Sequence, residues 1–146
     1  MTKALRSKII LFVGVFFSML SLQAQVTTNS GSGLAPTYAS LDAAITALNA
    51  ATITSPVVIT LTAANPQTAP AGGYELRAEG TATNTIKIIG NGNTITASSS
   101  LTPGALNDGL FKVIGGDYIS IESFVLIEAA SNTITDAGTN NMTEWG

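Results

Sequence analysis

The sequence predicts an all-β solenoid, in which short parallel strands stack turn upon turn under one short N-terminal helix. The pattern Ile-Lys-Ile-Ile-Gly at residues 86–90 recurs 25 residues later as Phe-Lys-Val-Ile-Gly at residues 111–115. A second motif, Asn-Thr-Ile-Thr at residues 93–96, is repeated at residues 132–135. Short β-branched segments separated by Gly, Asn and Pro turns fill the chain after Ser55. A fixed period of this length is typical of stacked repeats.

Residues 1–24 are predicted to be a secretory signal peptide. Lys3, Arg6 and Lys8 precede an apolar stretch at residues 9–22, which is shorter than a membrane-spanning helix requires. Cleavage is predicted after Ala24, and an uncleaved N-terminal anchor is the alternative. The mature chain is predicted to be exported and to contain no further membrane span.

Residues 25–36 are rich in Ser, Thr and Gly and are predicted to be a flexible lead-in. A helix is predicted at residues 41–49, with Ser40 or Thr37 as its N-terminal cap. Four apolar residues recur there at the spacing of one helical face: Leu41, Ala44, Ile45 and Leu48. A helix this short is marginally stable alone, so it is predicted to close the end of the strand stack.

The strands are predicted at eight short segments: residues 57–61, 74–76, 86–89, 94–96, 110–114, 118–121, 124–127 and 133–135. The predicted inward-facing residues are Val57, Ile59, Ile86, Ile88, Phe111, Val113, Ile119, Ile121, Phe124 and Leu126. Stacking the 25-residue repeats in register places Lys87 beside Lys112, a like-charge contact that an intervening Glu122 or an offset of the turns would relieve. An antiparallel sandwich is the alternative fold, and it requires antiparallel partners for residues 86–89.

The composition excludes several classes of function. The chain has no Cys and no His, so its residues offer no Ser-His-Asp, Cys-His or His-based zinc site. Residues 25–146 carry three cationic against nine acidic side chains, a net charge of −6. This balance is unsuited to nucleic acid or to an anionic membrane surface.

Few residues are candidates for a site. Asp117 and Glu122 are weak candidates for a metal ligand, with calcium as the ion, and no other cofactor is indicated. Tyr74 and Tyr118 are candidates for stacking on carbohydrate if they are exposed. No residue is predicted to be catalytic, because nothing in the sequence fixes the carboxylates as a pair.

The order of these segments resembles a known family. The helix, Gly-Gly-Tyr-Glu at residues 72–75, Ile-Lys-Ile-Ile-Gly-Asn-Gly-Asn-Thr-Ile at residues 86–95 and Phe-Lys-Val-Ile-Gly-Gly-Asp-Tyr-Ile-Ser-Ile at residues 111–121 resemble the N-terminal coils of right-handed parallel β-helix proteins. This pectin-lyase-like group includes pectate lyases, pectin esterases, polygalacturonases and exported surface proteins. The leader ending in Leu-Gln-Ala-Gln is similar to those of type IX secretion cargo, which implies secretion or the outer surface of a Gram-negative bacterium.

The resemblance implies that residues 37–146 are the N-terminal coils of a β-helix domain that is truncated after Gly146. The function it implies is an adhesin-like structural protein that contacts a polysaccharide or another cell-surface partner. The alternative is the N-terminal part of a polysaccharide lyase, esterase or hydrolase whose active site lies beyond residue 146. No catalytic residue of those enzymes has a counterpart in this segment.

Overall fold

The computed structural model describes residues 24–98 and 109–131. It contains a 3-10 turn at Gly31–Gly33 and the helix α1 at Leu41–Ala50. Its strands are β1 (Val26–Thr28), β2 (Thr37–Tyr38), β3 (Val57–Leu61), β4 (Gln67–Thr68), β5 (Tyr74–Leu76), β6 (Ile86–Ile89), β7 (Thr94–Thr96), β8 (Phe111–Val113), β9 (Ile119–Glu122) and β10 (Val125–Ile127).

The strands form three sheets. The largest has five strands in the order β2-β1-β3-β6-β9, of which β1 is antiparallel to both neighbours and β3, β6 and β9 are parallel. The second sheet has the order β10-β7-β4 and the third pairs β5 with β8, all in parallel. Parallel neighbours require a long connection between them, and here the intervening chain passes through the other two sheets.

The predicted all-β parallel β-helix, with its solenoid repeat, is wrong. The five-stranded sheet mixes parallel and antiparallel pairs, none of the three sheets closes on itself, and α1 contributes to the core. The described residues form a small mixed α/β domain. The antiparallel sandwich is also excluded, because β6 has parallel neighbours on both sides.

The 25-residue repeat does not mark adjacent strands. Ile86 is aligned with Val57 and Ile119, whereas Phe111 is aligned with Tyr74 in another sheet. Connections of different length separate the paired strands, so a constant sequence period does not align them. The repeated pattern reflects only local structure: each copy is a short strand that ends at a turn.

The predicted contact between Lys87 and Lys112 is therefore absent. The Lys87 Nζ lies 3.3 Å from a carboxylate oxygen of Glu122 on β9. The Lys112 Nζ lies 3.0 Å from a carboxylate oxygen of Glu75 on β5. Each lysine faces an acidic side chain on a neighbouring strand, which is the favourable cross-strand arrangement.

The helix prediction is confirmed. Its four-residue apolar face is buried, and the Ser40 side chain accepts a hydrogen bond from the Ala43 amide at 3.1 Å. The helix lies against β5 and β2, so it covers one end of the parallel strands. The capping interaction satisfies one of the amides that every helix N-terminus leaves unpaired.

The predicted lead-in contains β1, which its Ser-Thr-Gly composition did not indicate. Val26 is fully buried, and residues 26–28 pair with β3 in an antiparallel register. One buried Val is too weak a signal to predict a strand. Residues 26–28 form a strand because they pair with β3.

The core confirms most of the predicted inward-facing residues. Val57, Ile59, Ile86 and Ile88 are buried. Five others are partly buried against them: Phe111, Ile119, Ile121, Phe124 and Leu126. Val113 is half exposed, and the prediction for it is wrong: the helix packs on β5, where the aligned Leu76 is buried, but no described strand pairs with the other side of β8. The ring of Phe111 contacts those of Tyr74 and Phe124, with centroids 5.2 and 5.4 Å apart.

Two predicted segments lie outside the described residues: all but the last residue of the leader, and the strand at residues 133–135. The leader and the export that it implies therefore stay predictions and gain no support from the structure. Among the described residues, no helix has the length and hydrophobicity of a membrane span.

Candidate functional site

The most exposed large apolar side chains of the described residues gather at one end of the sheets. Strands β8, β9 and β10 each lie at the edge of their sheet, with one neighbouring strand. On or beside them lie the exposed residues that we call the open-edge patch: Val113, Ile114, Tyr118, Val125 and Ile127. The opposite end is covered, since α1 packs on β5 and β1 pairs with β3. Exposed apolar side chains on edge strands are candidates for an interaction surface.

Tyr118 is the most exposed member of this patch, with 55% of its surface accessible to solvent. Its backbone has φ 54°, in the left-handed region that is unfavourable for a bulky residue by about 1–2 kcal/mol. Two hydrogen bonds hold this conformation: the Ile86 amide donates to the Tyr118 carbonyl, and the Gly80 amide donates to the Asp117 carbonyl, both at 3.0 Å. The backbone at Tyr118 is thus held by hydrogen bonds to two other segments, and more than half of the residue's surface is exposed.

The turn that carries Tyr118 depends on a close approach at Gly116. A Cβ at this position would lie 2.7 Å from the Ile119 Cδ1 and 2.9 Å from the Ala78 carbonyl oxygen. Both distances are shorter than van der Waals contact, so a side chain here would displace the neighbouring chain. The Gly-Gly-Asp sequence therefore forms a tight turn, and this turn sets the position of Tyr118 on the surface.

Tyr74, the other candidate for carbohydrate contact, lies in the core with 1% of its surface exposed. One face of its ring is stacked on Phe111, so the ring is not available to a ligand. Burial and, secondarily, the charge of Asp42 raise the pKa of the Tyr74 hydroxyl to about 12.

Alkaline titration is expected to reveal the raised pKa of Tyr74. This pKa is raised in the folded chain relative to about 10 when unfolded, so the neutral form contributes stability below pH ~10 that is lost as the pH rises towards 12. Tyrosinate absorbance should show a late step near pH 12 that coincides with unfolding. In Tyr74→Phe that late step should vanish; its persistence would contradict the assignment.

The metal candidates are not brought together as a site. Glu122 forms an ion pair with Lys87. At Asp117 the backbone carbonyl accepts a hydrogen bond from the Gly80 amide. Among residues 24–98 and 109–131, no three acidic, His or Cys side chains lie close enough to share an ion. Glu128, which follows β10, accepts a hydrogen bond from the Ala129 amide at 2.8 Å.

Sequence reasoning missed an ionic cluster across β5 and β8. The Glu75 carboxylate accepts hydrogen bonds from the Lys112 ammonium at 3.0 Å and from the Arg77 guanidinium at 2.7 Å. These two cations, Lys112 foremost, lower the pKa of Glu75. The 37-residue separation of Glu75 from Lys112 gives no local signal in the sequence. The Lys112–Glu75 pair is the member of this cluster that joins β8 to β5, whereas Arg77 contacts Glu75 within one segment.

Residues 24–98 and 109–131 form a small mixed α/β domain, in which the exposed Tyr118 lies beside a strand with a single described neighbour. Comparison with known proteins found no match, either among protein-family models, among curated proteins or among solved structures. The likeness to exported pectin-lyase-like proteins therefore stays a prediction from the sequence.

Proposed function

We propose that this chain is a binding protein that contacts polysaccharide through the open-edge patch, with Tyr118 as the central contact. The observation that supports this proposal is the conformation of Tyr118. A bulky residue in the left-handed region is disfavoured by local energetics, and such residues persist mainly where a function or the surrounding structure maintains them. Here its effect is to present an aromatic face to solvent, a face on which the C–H groups of a sugar ring can pack.

The net negative charge of the domain favours uncharged ligands over anionic ones. With a net charge of −6 for residues 25–146, the chain repels polyanions at low ionic strength. Its three cationic side chains in that range, Arg77, Lys87 and Lys112, are each paired with a carboxylate. Neutral polysaccharides are therefore favoured over polygalacturonate. The proposed setting is the outer cell surface or the secreted fraction, which rests on the sequence of residues 1–24.

Affinity gel electrophoresis against a panel of neutral and acidic polysaccharides tests the proposal. We expect retardation by at least one neutral glycan, with no retardation by polygalacturonate. Tyr118→Asn should weaken that interaction about three- to tenfold, since one aromatic contact is worth roughly 0.5–1.5 kcal/mol. Tyr118→Phe keeps the ring and is expected to bind within about twofold of the native chain.

A stability measurement separates a lost contact from a lost fold. Asn tolerates the left-handed region better than Tyr, so Tyr118→Asn should unfold at the same or a higher temperature than the native chain. Weaker binding by a variant that is at least as stable supports the proposal. Unchanged binding by Tyr118→Asn, or no retardation by any glycan in the panel, would contradict it.

A further inference from the structure

The sequence contains a single Asn-Gly dipeptide, Asn91-Gly92, in the turn that follows β6. The Asn93 amide donates a hydrogen bond to the Gly90 carbonyl at 2.9 Å, and the two residues between them have φ 52° and 76°. Two central residues with positive φ are characteristic of a type I′ turn, for which Asn followed by Gly is the preferred sequence. Both Asn91 and Gly92 are exposed to solvent, so the turn is open to reaction with water.

An Asn-Gly dipeptide is chemically labile, and asparagine is among the thermolabile residue types. The backbone nitrogen of the glycine attacks the Cγ of the asparagine side chain, and glycine hinders this approach least because it has no Cβ. This nitrogen loses its proton as the new N–Cγ bond forms. The bond from Cγ to Nδ2 breaks, and the leaving amide group takes up a proton and departs as ammonia. Water then hydrolyses the cyclic succinimide at either carbonyl, which gives Asp or isoaspartate.

In the folded chain both reacting groups are held by other segments. The Gly92 amide donates to the Ser123 carbonyl at 2.8 Å, in the turn between β9 and β10. The Asn91 Nδ2 donates to the Leu61 carbonyl at the end of β3, at 3.4 Å. The Gly92 nitrogen must lose its hydrogen and turn towards Cγ to react, so its bond to Ser123 has to open first. Attack is therefore confined to the fraction of molecules in which this contact is broken.

We propose that Asn91 is a site of spontaneous deamidation and that the hydrogen bond from Gly92 to Ser123 controls its rate. The backbone at Ser123 has φ 60°, a left-handed conformation that is costly for a residue other than Gly. This strain favours opening of the turn after β9 relative to the flanking strands. Opening of that turn exposes the labile dipeptide without unfolding the domain. The proposal is independent of polysaccharide binding.

The product does not restore the contacts of Asn91. A carboxylate has no hydrogen to donate, so Asp at position 91 would place its oxygen atoms against the Leu61 carbonyl oxygen. Isoaspartate also inserts a side-chain carbon into the backbone, which moves Gly92 away from Ser123. Deamidation would therefore loosen the corner where the ends of β3, β6 and β9 meet, as an irreversible ageing step.

Incubation of the full chain at mildly alkaline pH tests the chemistry. Peptide mass spectrometry should find Asp and isoaspartate at position 91 in the chain unfolded by urea, with the folded chain reacting at least about tenfold more slowly. Gly92→Ala is the chemical control, because the added methyl group hinders the attack while no atom of the fold lies within 4 Å of it. It should suppress the reaction in urea. No reaction at Asn91 in urea would contradict the proposal.

A matched pair of variants tests the control by Ser123. Ser123→Val places a β-branched residue at φ 60°, which should shift the turn towards its open form and speed deamidation of the folded chain about fivefold or more. Ser30 is also exposed, with φ 55°, but it lies in the segment that contacts the start of β3 through Asn29. Ser30→Val carries the same strain away from Asn91 and should leave the rate within about twofold of the native chain.

Three further results would overturn the proposal. The first is equal acceleration by Ser123→Val and Ser30→Val, since attack would then require unfolding of the whole domain. The second is a native-chain rate that rises with urea in proportion to the unfolded fraction, whereas opening of one turn exposes little surface and should leave the rate almost flat below the transition. The third is a folded chain that deamidates as fast as the unfolded one. The urea series uses the native chain, so it decides the matter even if Ser123→Val does not fold.

Discussion

Gly73→Ala is expected to destabilise the fold by about 3 kcal/mol or more, enough to leave a small domain largely unfolded. Gly73 has φ +79°, and a Cβ at this position would overlap the carbonyl oxygen of Gly109. The strain of a left-handed backbone and a clash with rigid main chain therefore act together. The clash also affects the adjacent hydrogen bond of 2.8 Å from the Tyr74 amide to the Leu110 carbonyl, which begins the pairing of β5 with β8. Urea unfolding monitored by circular dichroism measures the loss.

Gly92→Ala is the matched control, because Gly92 has nearly the same φ, +76°, with no atom within 4 Å of the added Cβ. It should lose only the strain of the left-handed backbone, about 1 kcal/mol. The difference between the two variants isolates the contact with Gly109. Equal destabilisation of both would show that the close approach of residues 73 and 109 is not a feature of the folded chain.

Ile88→Ala is expected to lower the free energy of unfolding by about 3–4 kcal/mol. Ile88 is fully buried on β6, where it is aligned with Ile59 on β3 and with Ile121 on β9. Its truncation removes a sec-butyl side chain from a site where two neighbouring strands prevent collapse, so it leaves a cavity as well as losing transfer free energy. Denaturant titration gives the value directly.

Two controls accompany this variant. Ile88→Val should lose about 0.5–1.5 kcal/mol, the usual range for one buried methyl group. Ile127→Ala, on the exposed side of β10, should change stability by less than about 0.5 kcal/mol, since surface positions rarely exceed that. A loss at Ile127 that matched the loss at Ile88 would mean that Ile127 is covered in solution, contrary to its exposure in the structure.

Local patterns predicted the elements well because each rests on neighbours in the chain. The spacing of the apolar residues from Leu41 to Leu48, with Ser40 before them, requires only helical geometry and one capping hydrogen bond. The segments at β3, β5, β6 and β7 matched the structure because short runs of β-branched, aromatic or aliphatic residues next to Pro, Gly or Asn are local signals. Most of the buried core followed from the alternation along those strands.

The pairing of the strands was predicted wrongly because register is a long-range property. The repeat suggested that Ile86 lies beside Phe111, but the connections differ in length and place Ile86 beside Val57 and Ile119. Asn93 shows the same limit. Its buried side chain donates to the Thr62 and Gly90 carbonyls at 2.8 Å and accepts from the Asn65 amide, contacts that span up to 31 residues. The sequence marked this Asn as part of a turn and could not indicate that it joins two turns.

The sequence did not distinguish the two candidate tyrosines of the site. Both follow a Gly-Gly pair, yet Tyr118 is exposed and Tyr74 is buried. Which of two tyrosines a ligand can reach depends on whether another strand and helix pack over it. No local pattern reports that packing.

The capped helix, the strands β3, β5, β6 and β7, the acidic balance and the lack of Cys and His chemistry were predictable from the sequence, since each follows from composition or from neighbours within a few residues. The three-dimensional structure was needed to show that β1 pairs with β3, that Lys87 and Lys112 face carboxylates on different sheets, and that β8, β9 and β10 each have a single neighbour among the described strands. Strand pairing joins residues far apart in the chain, and the lengths of the intervening connections set its register, so local patterns do not report it.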